Sequence, residues 1–311
     1  MPTINDSPKI AVAGVGGVGG YLSALLCRAF DSVTLVARKG RYDAFARNGL
    51  VLHSDLNGEV ISRPQALVQS AGELPPQDYL FICVKNYSLE ELLPQLKTAV
   101  TENTVIIPVM NGVDPGDRVQ AGLSAGTVVK ALIYIVAFSN PDYSITQQGN
   151  FADLRLGIEH PDESRKEKLA ALSSLLTQAG IRHQLSGDIM LDIWKKYVLN
   201  CCYNVATAFY DCPIGPIRDD PAKARDYIAL AQEAAQVAVA KGIAISSEDI
   251  EAIIDRFYHS YADEASSSLQ RDIHAGRPAE VETFSGYIVK EAHRLGLAVP
   301  VSEKMYQGLV R

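Results

Sequence analysis

The sequence predicts an α/β protein in two parts, a doubly wound parallel sheet at the N-terminal end and an all-helical C-terminal domain. Three observations carry this. The first forty residues read strand, glycine turn, helix, strand. As far as residue 110, short apolar runs alternate with helical periodicity, the rhythm of strand–helix–strand units. From about residue 161 nearly every segment has helical spacing. The boundary falls near residue 185, so the expected domains are 1–185 and 186–311.

The opening unit is the most informative. Residues 9–13 form an apolar strand, Gly14-Val15-Gly16-Gly17-Val18-Gly19 follows at once, and 21–30 has helical periodicity. Gly14 can make a tight turn, Gly16 lets the backbone approach a pyrophosphate, and Gly19 lets the helix pack closely. The helix N-terminus offers unpaired N–H groups and a positive dipole end. A GxGxxG placed between a strand and a helix predicts a Rossmann-type dinucleotide site, where the plainer alternative is a glycine-rich tight turn. The second strand, 33–37, ends in Arg38 and Lys39, with Arg41 close behind and no acid before Asp43. A site for an unphosphorylated ribose usually ends this strand with Asp or Glu. A guanidinium there can instead bind a 2′-phosphate bidentately, so the expected cofactor is NADP(H); the bland reading is a solvated basic turn.

The remaining elements follow in order. Residues 41–48 read as a short helix. Segments 49–53 and 59–63 flank Asn57-Gly58, a hairpin turn signal. Residues 78–84 form a buried strand ending at Lys85, 89–100 have helical spacing, and 104–109 are a strand ending at Met110-Asn111-Gly112. Strand-like runs at 128–138, 143–146 and 154–157 predict extra strands closing one edge of the sheet. Helices are expected at 163–179, 189–210, 221–241, 247–262, 280–295 and 302–310. Ser246 and Pro221 mark helix starts and Gly296 a helix stop.

Composition narrows the function classes. The chain has 311 residues, 47% of them hydrophobic, and a formal net charge of −7. A broad nucleic-acid surface is not expected from that charge, and no apolar run approaches the roughly twenty residues of a membrane span. The first six residues have neither the basic start nor the apolar core of a signal peptide. Five cysteines without a CxxC pair fit a reducing cytoplasm. No histidine sits at metal-ligand spacing, so no metal is expected.

The second chemical feature lies on the helix 189–210. It is apolar nearly all round and should be buried, yet Asp192, Lys196, Asn200 and Asn204 recur every four residues along one face. Burying a lysine beside two amides is costly unless they bond something. Such a line suits an anionic or carbonyl substrate; a core network with Lys196 paired to Asp192 is the alternative. Lys195 points off this line and is expected to be solvated. In 266–282, Gly276-Arg277-Pro278 breaks a helix and Glu280 sits in the first turn of the next, where a carboxylate can simply offset the helix dipole. Ser268 can likewise be a capping hydroxyl, and His274 a surface residue.

Together these segments resemble the ketopantoate reductase (2-dehydropantoate 2-reductase) family over essentially the whole chain. The glycine turn with a basic second strand matches, as do Val84-Lys85, Met110-Asn111-Gly112, Trp194-x-Lys196-x-x-x-Asn200-x-x-x-Asn204, and Ser268 through Glu280. The resemblance implies NADPH-dependent reduction of 2-dehydropantoate to (R)-pantoate, a step toward pantothenate and coenzyme A. Lys196 would be the general acid, and Glu280 would bond the substrate hydroxyl and orient Lys196. Asn200, Asn204 and Ser268 would hold the substrate, and Asn111 would lie between nicotinamide and substrate. Arg38 and Lys85 would grip the 2′-phosphate. The apolar helical domain leaves room for a homodimer. Departures at 113–117, in the glycine-free strand 130–138 and in the loop 139–143 bear on which 2-oxo acid is used. The alternatives are a reductase of another small 2-oxo acid and an NADP(H)-binding regulatory protein without turnover.

Overall fold

The structure is a computed structural model, and it describes residues 8–310. It divides into two compact units, residues 1–189 and 190–311.

The first unit begins with β1 (Ile10–Ala13), α1 (Gly17–Ala29), β2 (Val33–Val36), α2 (Gly40–Asn48), β3 (Leu50–Ser54), β4 (Gly58–Ser62), β5 (Ala66–Val68) and β6 (Tyr79–Ile82). It continues with α3 (Leu89–Leu92), β7 (Val105–Pro108), α4 (Pro115–Gly122), β8 (Thr127–Val128), β9 (Lys130–Ser139), β10 (Ile145–Gly157), α5 (Glu163–Gln178) and β11 (His183–Leu185). Six strands form a parallel sheet in the order β5-β2-β1-β6-β7-β8. The order turns back at β1: β2 lies on one side and β6 on the other, so the turn after β1 sits at a topological switch point.

Both faces of this sheet are covered, as a parallel sheet requires. Ile10 and Val12 of β1 pack into one core with α1, while Ala11 and Ala13 face the other, which the segment 89–99 and Val119 of α4 cover. The runs are uniformly apolar because alternate residues serve two cores. α3 is only one turn long, followed by a 3-10 stretch at Leu93–Thr98. The helix expected across 89–100 is broken because Pro94 has no N–H to donate.

The late strands correct an expectation. Only the short β8 adds to the edge of the first sheet, beside β7; β9, β10 and β11 instead build a second one, β11-β10-β3-β4 with β9 paired to β10. It includes the hairpin β3–β4, whose Asn57-Gly58 turn was legible in the sequence. This second sheet packs on α1, which explains why that helix is apolar on nearly every side. A Cβ on Gly17 would lie 2.2 Å from the Ala137 carbonyl oxygen of β9, so the second sheet needs this glycine bare.

The second unit is helical: α6 (Ile189–Tyr210, its first residue in the first unit), α7 (Ile214–Asp219), α8 (Pro221–Ala240), α9 (Ser247–His259), α10 (Ser268–His274), α11 (Tyr287–Leu295) and α12 (Pro300–Leu309). Caps follow the sequence signals. Asp220 accepts from the N–H groups of Ala222 and Lys223 ahead of Pro221, Ser246 and Asp249 form a capping box, and Gly296 closes α11 with φ +69°. The N-terminus of α12 is capped from a distance: buried Glu233 of α8 accepts from Val301 and Ser302. Trp194 and Tyr197 of α6 and Tyr287 of α11 form an edge-on aromatic cluster in the core. Among the described residues no helix is long and apolar enough to cross a membrane.

Candidate active site

The glycine turn comes first. Gly14 has φ +96°, and a Cβ there would lie 2.7 Å from the Cys83 carbonyl carbon. Only glycine relieves both constraints. A Cβ on Gly19 would stand 1.9 Å from the Gly14 carbonyl oxygen and 2.9 Å from the Cys83 Cβ. A Cβ on Gly16 would meet nothing within 4 Å. Gly16 is the N-cap of α1, no side chain caps that end, and no acid occupies the first turn. Three features thus coincide: open space over Gly16, uncapped N–H groups, and a helix dipole with no local carboxylate. That is what a phosphate diester would require.

Beside this turn lies a pocket of about 110 Å³, whose walls include Gly14, Val15, Arg38, Arg41, Val84 and Glu91. Arg38 is exposed at the end of β2, just after Ala37, whose N–H donates to the Val68 carbonyl. Val84 lines the pocket, and Lys85 follows it as the N-cap residue of a short 3-10 turn, Asn86–Ser88. Asn111 follows β7, and its backbone carbonyl accepts from the buried Asn86 side chain at 2.8 Å. Asn86 is held in turn by Arg118 of α4, which donates to its side-chain oxygen at 3.1 Å and to its carbonyl at 3.2 Å. The sequence reading missed this Arg118–Asn86–Asn111 chain, since nothing in the local pattern links α4 to the loop after β6.

In the second unit the polar stripe is present as spaced. Lys196, Asn200 and Asn204 lie on α6, with Asn204 buried and the other two partly so. Glu280 is buried at the start of the helical segment that leads into α11. Burial is the larger influence on Lys196 and lowers its ammonium to about 8, while the nearby negative charge of Glu280 pulls it back up. The network reading in which Lys196 is simply paired to Asp192 is therefore incomplete, because Glu280 is the carboxylate whose charge acts on it.

The helix expected from residue 280 begins with a π turn, Glu282–Gly286. Its cause is visible in α6. The Tyr197 hydroxyl lies 2.7 Å from the Thr283 carbonyl and 3.0 Å from the Phe284 carbonyl, so its one proton is shared between two carbonyls of the turn. Tyr197 thereby fixes the turn that follows Glu280. The available signal was a tyrosine on a buried, largely apolar helix, whose hydroxyl must find a partner.

Asn204 and Ser268 meet directly. The Ser268 hydroxyl donates to Asn204 Oδ1 at 3.2 Å, and the Leu269 N–H approaches the same oxygen at 3.4 Å. The hydroxyl capping α10 belongs to Ser267, not Ser268: it accepts from the Gln270 N–H and receives a bond from Thr207. Removing the Asn204 acceptor strands two donors, so Asn204→Ala should cost about 1–3 kcal/mol. Asn204→Asp, which keeps an acceptor, should lose less; thermal unfolding of the two variants is the check. One expectation needs correction: Lys195 is not simply solvated but forms an ion pair with Asp249 of the α9 capping box at 2.7 Å. His274 is on the surface as expected, where it is paired with Asp211. Among the described residues no cluster of three or more His, Cys, Asp or Glu side chains could hold a metal ion.

Comparison with known proteins adds a further observation. The family model for ketopantoate reductase PanE/ApbA matches residues 10–158, and the model for its C-terminal part matches residues 188–310. A relative from Bacillus subtilis, the uncharacterized oxidoreductase YkpB, is 30% identical over 305 residues, 97% of each chain. The crystal structure of 2-dehydropantoate 2-reductase from Porphyromonas gingivalis is 28% identical, covers 98% of this chain and 100% of its own, and superposes with a TM-score of 0.81. D-mandelate dehydrogenase, solved with NADH and anilino(oxo)acetate, has the same fold at a TM-score of 0.85 and 19% identity, with 97% of each chain covered.

Proposed function

The chain belongs to the ketopantoate reductase family of oxidoreductases, and from that premise we propose that it reduces 2-dehydropantoate to (R)-pantoate with NADPH, a step toward pantothenate and coenzyme A. The observation that carries the reading is the stripe of Lys196, Asn200 and Asn204 along one face of the largely apolar α6, with the charge of buried Glu280 acting on Lys196. A reduced nicotinamide, when bound, supplies a hydride to a ketone carbon. The pyrophosphate would rest on the backbone from Gly14 to Gly19, over the open face of Gly16, and Arg38 with Lys85 would take the 2′-phosphate.

This chain's own residues do the rest. As the carbonyl carbon gains the hydride, its π pair moves onto oxygen. Lys196 gives that oxygen a proton from Nζ and is left as a neutral amine, which solvent reprotonates. A group near 8 suits this exchange close to neutral pH, and its charge also stabilises the developing alkoxide. Glu280 accepts from the substrate hydroxyl and holds Lys196 in place. With Oδ1 engaged by Ser268 and Leu269, Asn204 offers its Nδ2 donor to the substrate, as does Asn200 nearby. Ser268, its proton engaged on Asn204, offers an acceptor lone pair. Asn111, its backbone carbonyl held by Asn86, would stand beside the nicotinamide when it is bound.

A second reading keeps the chemistry and changes the acid. It is favoured by the 30% identity to a relative known only as an oxidoreductase, and by departures from the family pattern at 113–117 and 130–143. The test is NADPH oxidation with 2-dehydropantoate beside a panel of small 2-oxo acids. Turnover highest on 2-dehydropantoate supports the first reading. Turnover on another acid alone transfers the proposal to that acid, and binding of NADPH without turnover on any would favour a regulatory protein.

A further inference from the structure

Arg38 has a neighbour that the motif does not include. Arg41, the second residue of α2, lines the same pocket. Unlike Arg38 it is partly buried, and its placement is fixed from the second sheet's side. One guanidinium nitrogen donates to Ser139 Oγ at 3.3 Å, and the group lies over the Tyr143 ring, 5.4 Å from its centroid. Ser139 is the last residue of β9, and Tyr143 lies in the turn that joins β9 to β10. Its Nε is buried without a hydrogen-bond partner. A partly desolvated guanidinium is costly unless an anion lies against it, and burial does disfavour its charged form. The pocket lining sets two guanidinium groups against one carboxylate, Glu91, which comes from α3 and not from the end of β2.

We propose that Arg41 is a second determinant of cofactor choice, binding the ribose 2′-phosphate together with Arg38, with Ser139 and Tyr143 as positioning residues. Selectivity for the phosphorylated dinucleotide is then written in two distant segments, the end of β2 and the β9–β10 turn. The proposal rests on the dinucleotide reading above.

The experiment is the affinity of the full-length protein for NADPH and for NADH, followed by nucleotide fluorescence, in the wild type, Arg41→Gln and Arg41→Lys. Arg41→Gln should weaken NADPH about tenfold or more and leave NADH within about twofold. Arg41→Lys, which keeps charge but not a bidentate fork, should fall between. Equal loss for both nucleotides, or no loss for either, overturns the proposal while sparing the dinucleotide site. A wild type that binds neither nucleotide overturns both. Should Arg41→Gln fail to fold, the NADPH-to-NADH affinity ratio of Arg41→Lys decides alone: an unchanged ratio sinks the idea.

Discussion

Replacing Lys196 with alanine is expected to lower turnover by a hundredfold or more, the usual contribution of a positioned general acid. Its pH dependence is the sharper readout. As the proposed general acid Lys196 would have to carry its proton, and its ammonium is lowered to about 8. Catalytic efficiency should therefore be level below that value and fall about tenfold per pH unit above it. The negative charge of Glu280 raises the Lys196 value against burial. Glu280→Gln removes that charge, so the alkaline limb should move to lower pH in addition to any loss of substrate binding. An alkaline limb that stays put in Glu280→Gln, or an active Lys196→Ala enzyme, would remove Lys196 from its role.

A paired substitution in the glycine turn should separate folding from binding. Gly19→Ala places a Cβ 1.9 Å from the Gly14 carbonyl oxygen, a backbone clash that no side-chain rotation relieves. The first turn of α1 must move, and a loss of several kcal/mol or failure to fold is expected. Gly16→Ala meets nothing within 4 Å and should melt within a few degrees of wild type. Its methyl would nonetheless occupy the space over the helix N-terminus, so nucleotide affinity should drop at least tenfold. Calorimetric melting beside nucleotide titration reads both. A stable Gly16→Ala protein that binds normally would show that the pyrophosphate does not approach there.

The legible parts of this molecule are those governed by short-range chemistry. Strand β1, the glycine turn, α1 and the capped starts of α8 and α9 were written in spacing and capping residues, which act within a few positions along the chain. The stripe Lys196, Asn200, Asn204 was legible for the same reason, as helical periodicity places such residues on one face. The identity of Ser267 as the cap of α10 was not, because three adjacent serines carry the same local signal and only packing against Thr207 selects one.

What lies beyond local pattern was decided by the tertiary structure. The strands from residue 130 onward look in sequence like additions to one sheet; only pairing partners could show that they form a second, since alternation in a strand says nothing of its neighbours. The π turn after Glu280 exists where the Tyr197 hydroxyl, more than eighty positions away, accommodates its carbonyls. Arg41 faces the Arg38 pocket because the β9–β10 turn, about a hundred residues on, grips it. The sequence by itself determined which groups the chain carries, a glycine turn at a helix N-terminus and a lysine among amides, because those groups are specified residue by residue. The structure alone decided which side chains hold them in place, because long-range contacts are set by how sheets and helices pack.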